Sequence, residues 1–124
     1  MAKPITTKAH GILDYLTVAT ALALPRLLGW SKDATRFMTL AGLGTLAFSL
    51  LTKYELGVFK VLPVKAHLAL DVMSALTLLA APTLLGEKGA TAAMIRGMGV
   101  MELGVVSLTE TKPPLGERVR QALS

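Results

Sequence analysis

The sequence predicts an all-α membrane protein, a bundle of four transmembrane helices formed by two parallel helical-hairpin repeats. Three observations carry this expectation. Hydrophobic residues make up 52% of the 124 residues and charged ones only 17%, with a mean hydropathy of +0.57, whereas an ordinary soluble domain carries about a quarter charged residues. Four apolar segments follow one another, each near the roughly 20 residues a helix needs to cross about 30 Å of hydrocarbon. Finally, the chain resembles itself at an offset of 57 residues.

The first span runs over Ala9–Gly29, behind Lys3 and Lys8. Its "ALA" at Ala21–Ala23 mimics a signal-peptidase site. Asp14 interrupts the apolar core and a sister segment lies mid-chain, so the span is expected to belong to the mature protein. "WSKDATR" (Trp30–Arg36) then turns the chain into a second span, Ala34–Leu51. "TKYELGVFKVLP" (Thr52–Pro63) leads to the third, Val64–Gly86, and "GEKGA" (Gly86–Ala90) to the fourth, Ala90–Thr109. Pro25 and Pro82 lie about a turn from the far ends of the first and third spans, where neighbouring helices accommodate a proline. The runs are long, rich in Ala and Leu and without strict alternation, which argues against strands.

These limits give a transmembrane domain over residues 1–111 and a tail over 112–124. In the tail, Leu115, Val119, Ala122 and Leu123 recur at helical spacing, as in a short amphipathic helix on the membrane surface. Lys and Arg number eight on the face holding the termini and the middle connection, against five on the other. That bias predicts a multi-pass protein of the cell membrane with both termini in the cytoplasm.

Sliding the chain by 57 residues aligns Lys8–Gly29 with Lys65–Gly86, and 12 of the 22 pairs are identical. They include Lys8/Lys65, His10/His67, Asp14/Asp71, Thr20/Thr77 and Pro25/Pro82; Gly42/Gly99, Leu51/Leu108 and Thr52/Thr109 extend the match more loosely. Shared leucines are expected by chance in such a chain, but matched His, Asp and Pro in register are not. The repeats, about 8–57 and 65–111, each cross twice and so enter from the same side, related by an axis along the membrane normal.

A hairpin whose first helix ends in proline and an apolar-glycine exit, here "ALPRLLGW" (Ala23–Trp30) and "AAPTLLGE" (Ala80–Glu87), resembles the SPW-repeat integral membrane proteins. The resemblance covers roughly Lys8 to Thr109. It departs at the Ser-Pro-Trp positions, which read Leu24-Pro25-Arg26 and Ala81-Pro82-Thr83. It implies a small bacterial membrane protein and no particular activity.

The ionisable residues inside the spans are the candidate site. Residues four apart share a helix face, so His10, Asp14 and Thr17 form one polar stripe and His67, Asp71 and Ser74 another. Parallel repeats put both stripes at equal depth. Glu102, two turns before the end of the fourth span, comes to the same depth, with Thr45 and Ser49 supplying hydroxyls from the second. Lipid-facing charges cost a few kcal/mol each on insertion scales, so these groups should turn inward and pair.

Four readings follow, in this order. The first is a structural clasp of His–Asp hydrogen bonds locking the repeats together. The second is a divalent metal site using His10, His67, Asp14 and Asp71, with Glu102 nearby. The third is haem held by the two histidines. The fourth is proton or cation transfer, which lacks polar residues continuing to the far side.

Arg96, within the fourth span, is expected to snorkel outward or to pair with Asp33 or Glu87. Met94, Met98 and Met101 read as core filler. No phosphate-cradling loop, nucleophile elbow or zinc-protease motif occurs, so no enzyme is expected. Without cysteine there is no thiolate chemistry. The charge of +5 is scattered among apolar runs, which argues against nucleic acid. The expected function is thus a non-catalytic scaffold or accessory subunit, self-associating or joined to a larger membrane assembly, with metal or ion binding as the alternative.

Overall fold

A computed structural model describes residues 3–111, 119, 120, 122 and 123. It is all-helical, with α1 (Thr7–Leu27), α2 (Lys32–Leu50), α3 (Val64–Leu85) and α4 (Gly89–Leu108). Among the described residues the only strand-like pairing is two isolated bridges. Most of the expected tail helix lies outside the described residues.

Local chemistry sets the helix limits. The Thr6 hydroxyl accepts from Ala9 N–H and the Ser31 hydroxyl from Ala34 N–H, both at 3.1 Å, satisfying amides that lack a partner in a first turn. The Thr6 cap starts α1 two residues before the Ala9 expected from hydropathy. At the far ends, Gly29 (φ 65°) and Gly86 (φ 70°) take the left-handed conformation that reverses the chain. Trp30 N–H reaches Pro25 O at 2.9 Å and Glu87 N–H reaches Pro82 O at 2.8 Å. Each proline is thus built into an exit turn, its ring buried.

α1 packs along α2, and α3 along α4, while α2 meets α3 over a shorter stretch. The starts of α1 and α3 and the ends of α2 and α4 gather at one end of the bundle, where His10 and Thr109 touch, as do His67 and Thr52. Backbone ties reinforce that end. Ile5 N–H bonds Leu108 O (3.0 Å) and Glu110 N–H bonds Ile5 O (2.9 Å). Leu62 N–H bonds Leu51 O and Lys53 N–H bonds Leu62 O, both at 2.7 Å. Each residue of the second set lies 57 positions from its counterpart in the first.

The bundle is apolar outside and partly polar inside. Ala21, Ala34, Met38, Leu78 and Ile95 form a buried cluster away from the histidines. Tyr54, Val64 and Leu68 form a second near them. Leu16, Leu27, Leu40, Met73, Leu76, Leu84 and Val100 all point outward. Of the methionines read as filler, Met98 packs on the core, but Met94 and Met101 are exposed. Two helices, α3 and α4, are long and apolar enough to cross a membrane. α1 and α2 are less apolar than hydropathy alone predicted for four spans, because Lys8, His10, Asp14 and Arg26 fall in one and Lys32, Asp33 and Arg36 in the other. Arg96 pairs with neither Asp33 nor Glu87. Its guanidinium donates to the Thr83 hydroxyl at 2.9 Å, and Glu87 instead accepts from the Ser31 hydroxyl.

Candidate functional site

A quartet of buried side chains, His10, Asp14, His67 and Asp71, closes the end of the bundle where the four helices meet. His10 Nε2 lies 2.8 Å from Asp71 Oδ2 and 3.2 Å from Asp14 Oδ1. His67 Nε2 lies 3.0 Å from Asp14 Oδ2 and 3.2 Å from Asp71 Oδ2. Each histidine therefore stands closer to the aspartate of the other hairpin than to the one a turn along its own helix. The two rings are 5.3 Å apart at 82°.

The outer nitrogen of each ring is held by a threonine from the opposite hairpin. His10 Nδ1 meets Thr109 Oγ1 at 2.9 Å, and His67 Nδ1 meets Thr52 Oγ1 at 2.7 Å. The Thr109 hydroxyl donates to Val105 O and the Thr52 hydroxyl to Phe48 O. Since a hydroxyl has one hydrogen, each oxygen accepts from the ring, so both Nδ1 atoms carry a proton. That fixes both rings with Nε2 directed inward. Phe48 and Tyr54 set their ring faces against His67, at 5.0 and 5.3 Å.

The two aspartates are not equivalent. Asp14 Oδ2 also accepts from the Tyr54 hydroxyl at 2.8 Å. Position 111, offset by 57 from Tyr54, is a threonine, and Asp71 Oδ1 is buried with no hydrogen-bond partner. His67 Nε2 likewise has no hydrogen-bond partner, although both carboxylates are near it. Unsatisfied buried groups carry a desolvation cost of about 1–3 kcal/mol each, so these two atoms of the quartet call for a partner.

The Tyr54 that supports Asp14 comes from the connection between α2 and α3. This segment folds under the bundle, with Val58 and Phe59 N–H bonded to Leu50 O at 2.8 and 2.9 Å. Tyr54 is 1% exposed. Burial first, then the Asp14 carboxylate, pushes its phenol above the ordinary value near 10, so it stays a hydrogen-bond donor. Nearby, the Thr7 hydroxyl donates to Glu55 (2.6 Å) and Tyr15 OH to Leu56 O (2.9 Å).

The structure brings together the four residues expected as ligands and leaves Glu102 beside them. Glu102 lines a cavity of about 40 Å³ that reaches His10, Asp14 and Asp71. Its Oε2 accepts from the Ser74 hydroxyl at 3.4 Å, and it stays outside the four-residue group. Thr17 and Thr45 line the same cavity. Sequence reasoning missed Tyr54, whose contact with Asp14 spans 40 residues. It also missed the task of Thr52 and Thr109, whose matched positions were the available signal.

No family model, curated protein or solved structure matches this chain.

Proposed function

We propose that this chain is a polytopic membrane protein in which one divalent transition-metal ion, held by His10, Asp14, His67 and Asp71, ties two duplicated helical hairpins together. One observation carries the reading: a ligand atom from each of the two histidines and two aspartates lies within 4.8 Å of all the others, with the rings 5.3 Å apart at 82°. For a metal–nitrogen bond of about 2.0–2.1 Å and a tetrahedral angle, ring centres about 5.2 Å apart are expected. The donor-to-donor edge of such a site is about 3.3 Å. The nitrogen–oxygen separations of 2.8–3.2 Å lie inside it, with Asp14 turning Oδ1 to His10 and Oδ2 to His67.

Chemistry supports the same reading. Threonine-anchored Nδ1–H groups leave Nε2 as the coordinating atom, the usual way a ligating imidazole is oriented from behind. Two carboxylates neutralise a divalent charge, which suits a site shielded from water. Two nitrogens and two oxygens without thiolate favour zinc, manganese or ferrous iron over cuprous copper. With all four positions filled by side chains the centre is closed, as structural sites are, and the protein is non-catalytic. Haem fits less well, because both aspartates occupy the space between the rings that a porphyrin needs.

The membrane part of the reading rests on outward-facing leucines on all four helices and on the ionisable groups turned inward. The bridges and threonine contacts related by 57 positions support the duplicated hairpin. The proline–glycine exits carry the resemblance to SPW-repeat proteins. The charge bias assigns both termini to the cytoplasm.

A second reading is favoured by the 2.8 Å hydrogen bond between His10 and Asp71: an ionic clasp without metal, in a scaffold or accessory subunit of a larger assembly. Elemental analysis of protein purified in mild detergent separates the two. One equivalent of metal per chain, lost in Asp71→Asn and His67→Asn, is expected. A wild-type protein still metal-free after incubation with zinc, manganese and ferrous ions leaves only the clasp.

A further inference from the structure

At the end of the bundle opposite the quartet, a groove of about 420 Å³ opens between the exit of α1 and the start of α2. Three exposed cations stand around it, Arg26 in the last turn of α1 and Lys32 and Arg36 one turn apart on α2, with Trp30 between them. The nearest carboxylates are engaged or directed elsewhere. Glu87 accepts from the Ser31 hydroxyl, and neither Glu87 nor Asp33 lines the groove. Among the described residues no acid pairs with any of the three cations.

The wall contributed by α2 changes character with depth. From the start of α2 inward, the lining residues are Lys32, Thr35 and Arg36, then Thr39 and Leu40. These positions recur at helical spacing on one face and cover about 12 Å along the axis. Leu40 and Leu43 continue that side of α2 as exposed apolar surface. A stretch of cations and hydroxyls followed by aliphatic side chains matches the phosphate-and-ester head and the acyl chain of a phospholipid. Tryptophan beside the mouth matches the aromatic belt at a membrane interface.

We propose that this groove binds an anionic phospholipid, its phosphate among Arg26, Lys32 and Arg36 and an acyl chain along Leu40. The inference rests on the membrane reading and is independent of the metal. Alkaline carbonate extraction tests the membrane reading by itself: release of the protein into the supernatant would overturn that reading first.

Native mass spectrometry of the full chain in mild detergent tests the groove, using phosphatidylglycerol and phosphatidylcholine with identical acyl chains. Basic groups near a membrane surface contribute about 1 kcal/mol each, so three imply a preference on the order of 100-fold for the anionic lipid. The combined variant Arg26→Gln, Lys32→Gln, Arg36→Gln loses this preference, whereas Lys8→Gln with Lys65→Gln at the other end retains it. Single variants Lys32→Gln and Arg36→Gln each lower it about fivefold, which keeps the test decisive if the combined variant does not fold. Equal retention of the two lipids, or a preference that survives the combined variant, overturns the proposal. Displacement of the lipid by millimolar inorganic phosphate would overturn it in favour of a soluble anion.

Discussion

His10 Nε2 stands 2.8 Å from Asp71, 61 positions away, and 3.2 Å from Asp14, one turn along its own helix. The cross-hairpin pair is the tighter one, so the quartet holds the two halves of the molecule together.

Unfolding of the metal-free protein in mixed detergent should register this. Removing one partner of a buried pair leaves an uncompensated charge, so His10→Asn or Asp71→Asn alone is expected to cost about 3–5 kcal/mol. The double-mutant cycle for His10 with Asp71 should give a larger coupling energy than that for His10 with Asp14. Equal couplings, or the reverse order, would contradict the cross-hairpin clasp.

The four quartet residues were legible because an ionisable group in an apolar run has few places to go, and the four-residue spacing gives each His–Asp pair one face. The cross-pairing was not legible, since spacing relates residues on one helix and says nothing of reach between helices. Thr52 and Thr109 appeared as matched positions, but a hydroxyl at a helix end has many possible partners. Tyr54 lay in a connection that reads as a turn, and its partner is 40 residues away. Depth alone brought Glu102 to the cavity without indicating that its carboxylate stops at Ser74. Met94 and Met101 were misread as interior because an apolar residue in a bundle with an apolar exterior is at home on either side.

On the proposed metal reading, the threonine anchors should govern affinity. In Thr52→Val or Thr109→Val the ring loses the acceptor that holds Nδ1–H, while the four proposed ligand residues remain. Loss of such a supporting contact typically weakens a metal site about 10–100-fold. Competition with a chelator would measure this, and Thr→Ser at the same position should restore most of it. Unchanged affinity in both valine variants would mean that the hydroxyls do not position the rings for coordination.

Close approach of α3 and α4 depends on Gly99, where an added Cβ would lie 2.9 Å from Ala75 O and 3.2 Å from the Leu78 side chain. Two positions earlier, Gly97 has nothing within 4 Å of the same added atom. Gly99→Ala is therefore expected to destabilise the bundle by about 1–3 kcal/mol through overpacking, and Gly97→Ala to leave it intact. Thermal unfolding in detergent distinguishes the two, and equal behaviour would mean that the helices do not pack through this crossing.

Tyr54 provides a pH-dependent test outside the helices. Its hydroxyl donates to the Asp14 carboxylate at 2.8 Å, and burial followed by that carboxylate holds its ionisation above the ordinary value near 10. Below about pH 10 the phenol is protonated in folded and unfolded chains alike, and its hydrogen bond to a charged acceptor contributes about 1.5–3 kcal/mol. Above that pH the unfolded chain releases the proton while the folded chain keeps it. The unfolded state then binds fewer protons, and stability falls as pH rises. Tyr54→Phe should accordingly be less stable than wild type at neutral pH, with the gap narrowing above about pH 10, because the variant has no phenol to ionise. Groups common to both proteins cancel in the difference between their unfolding curves. A gap that stays constant or widens with alkali would show that Tyr54 ionises as freely in the fold as outside it, and would remove its hydroxyl as a fixed support of Asp14.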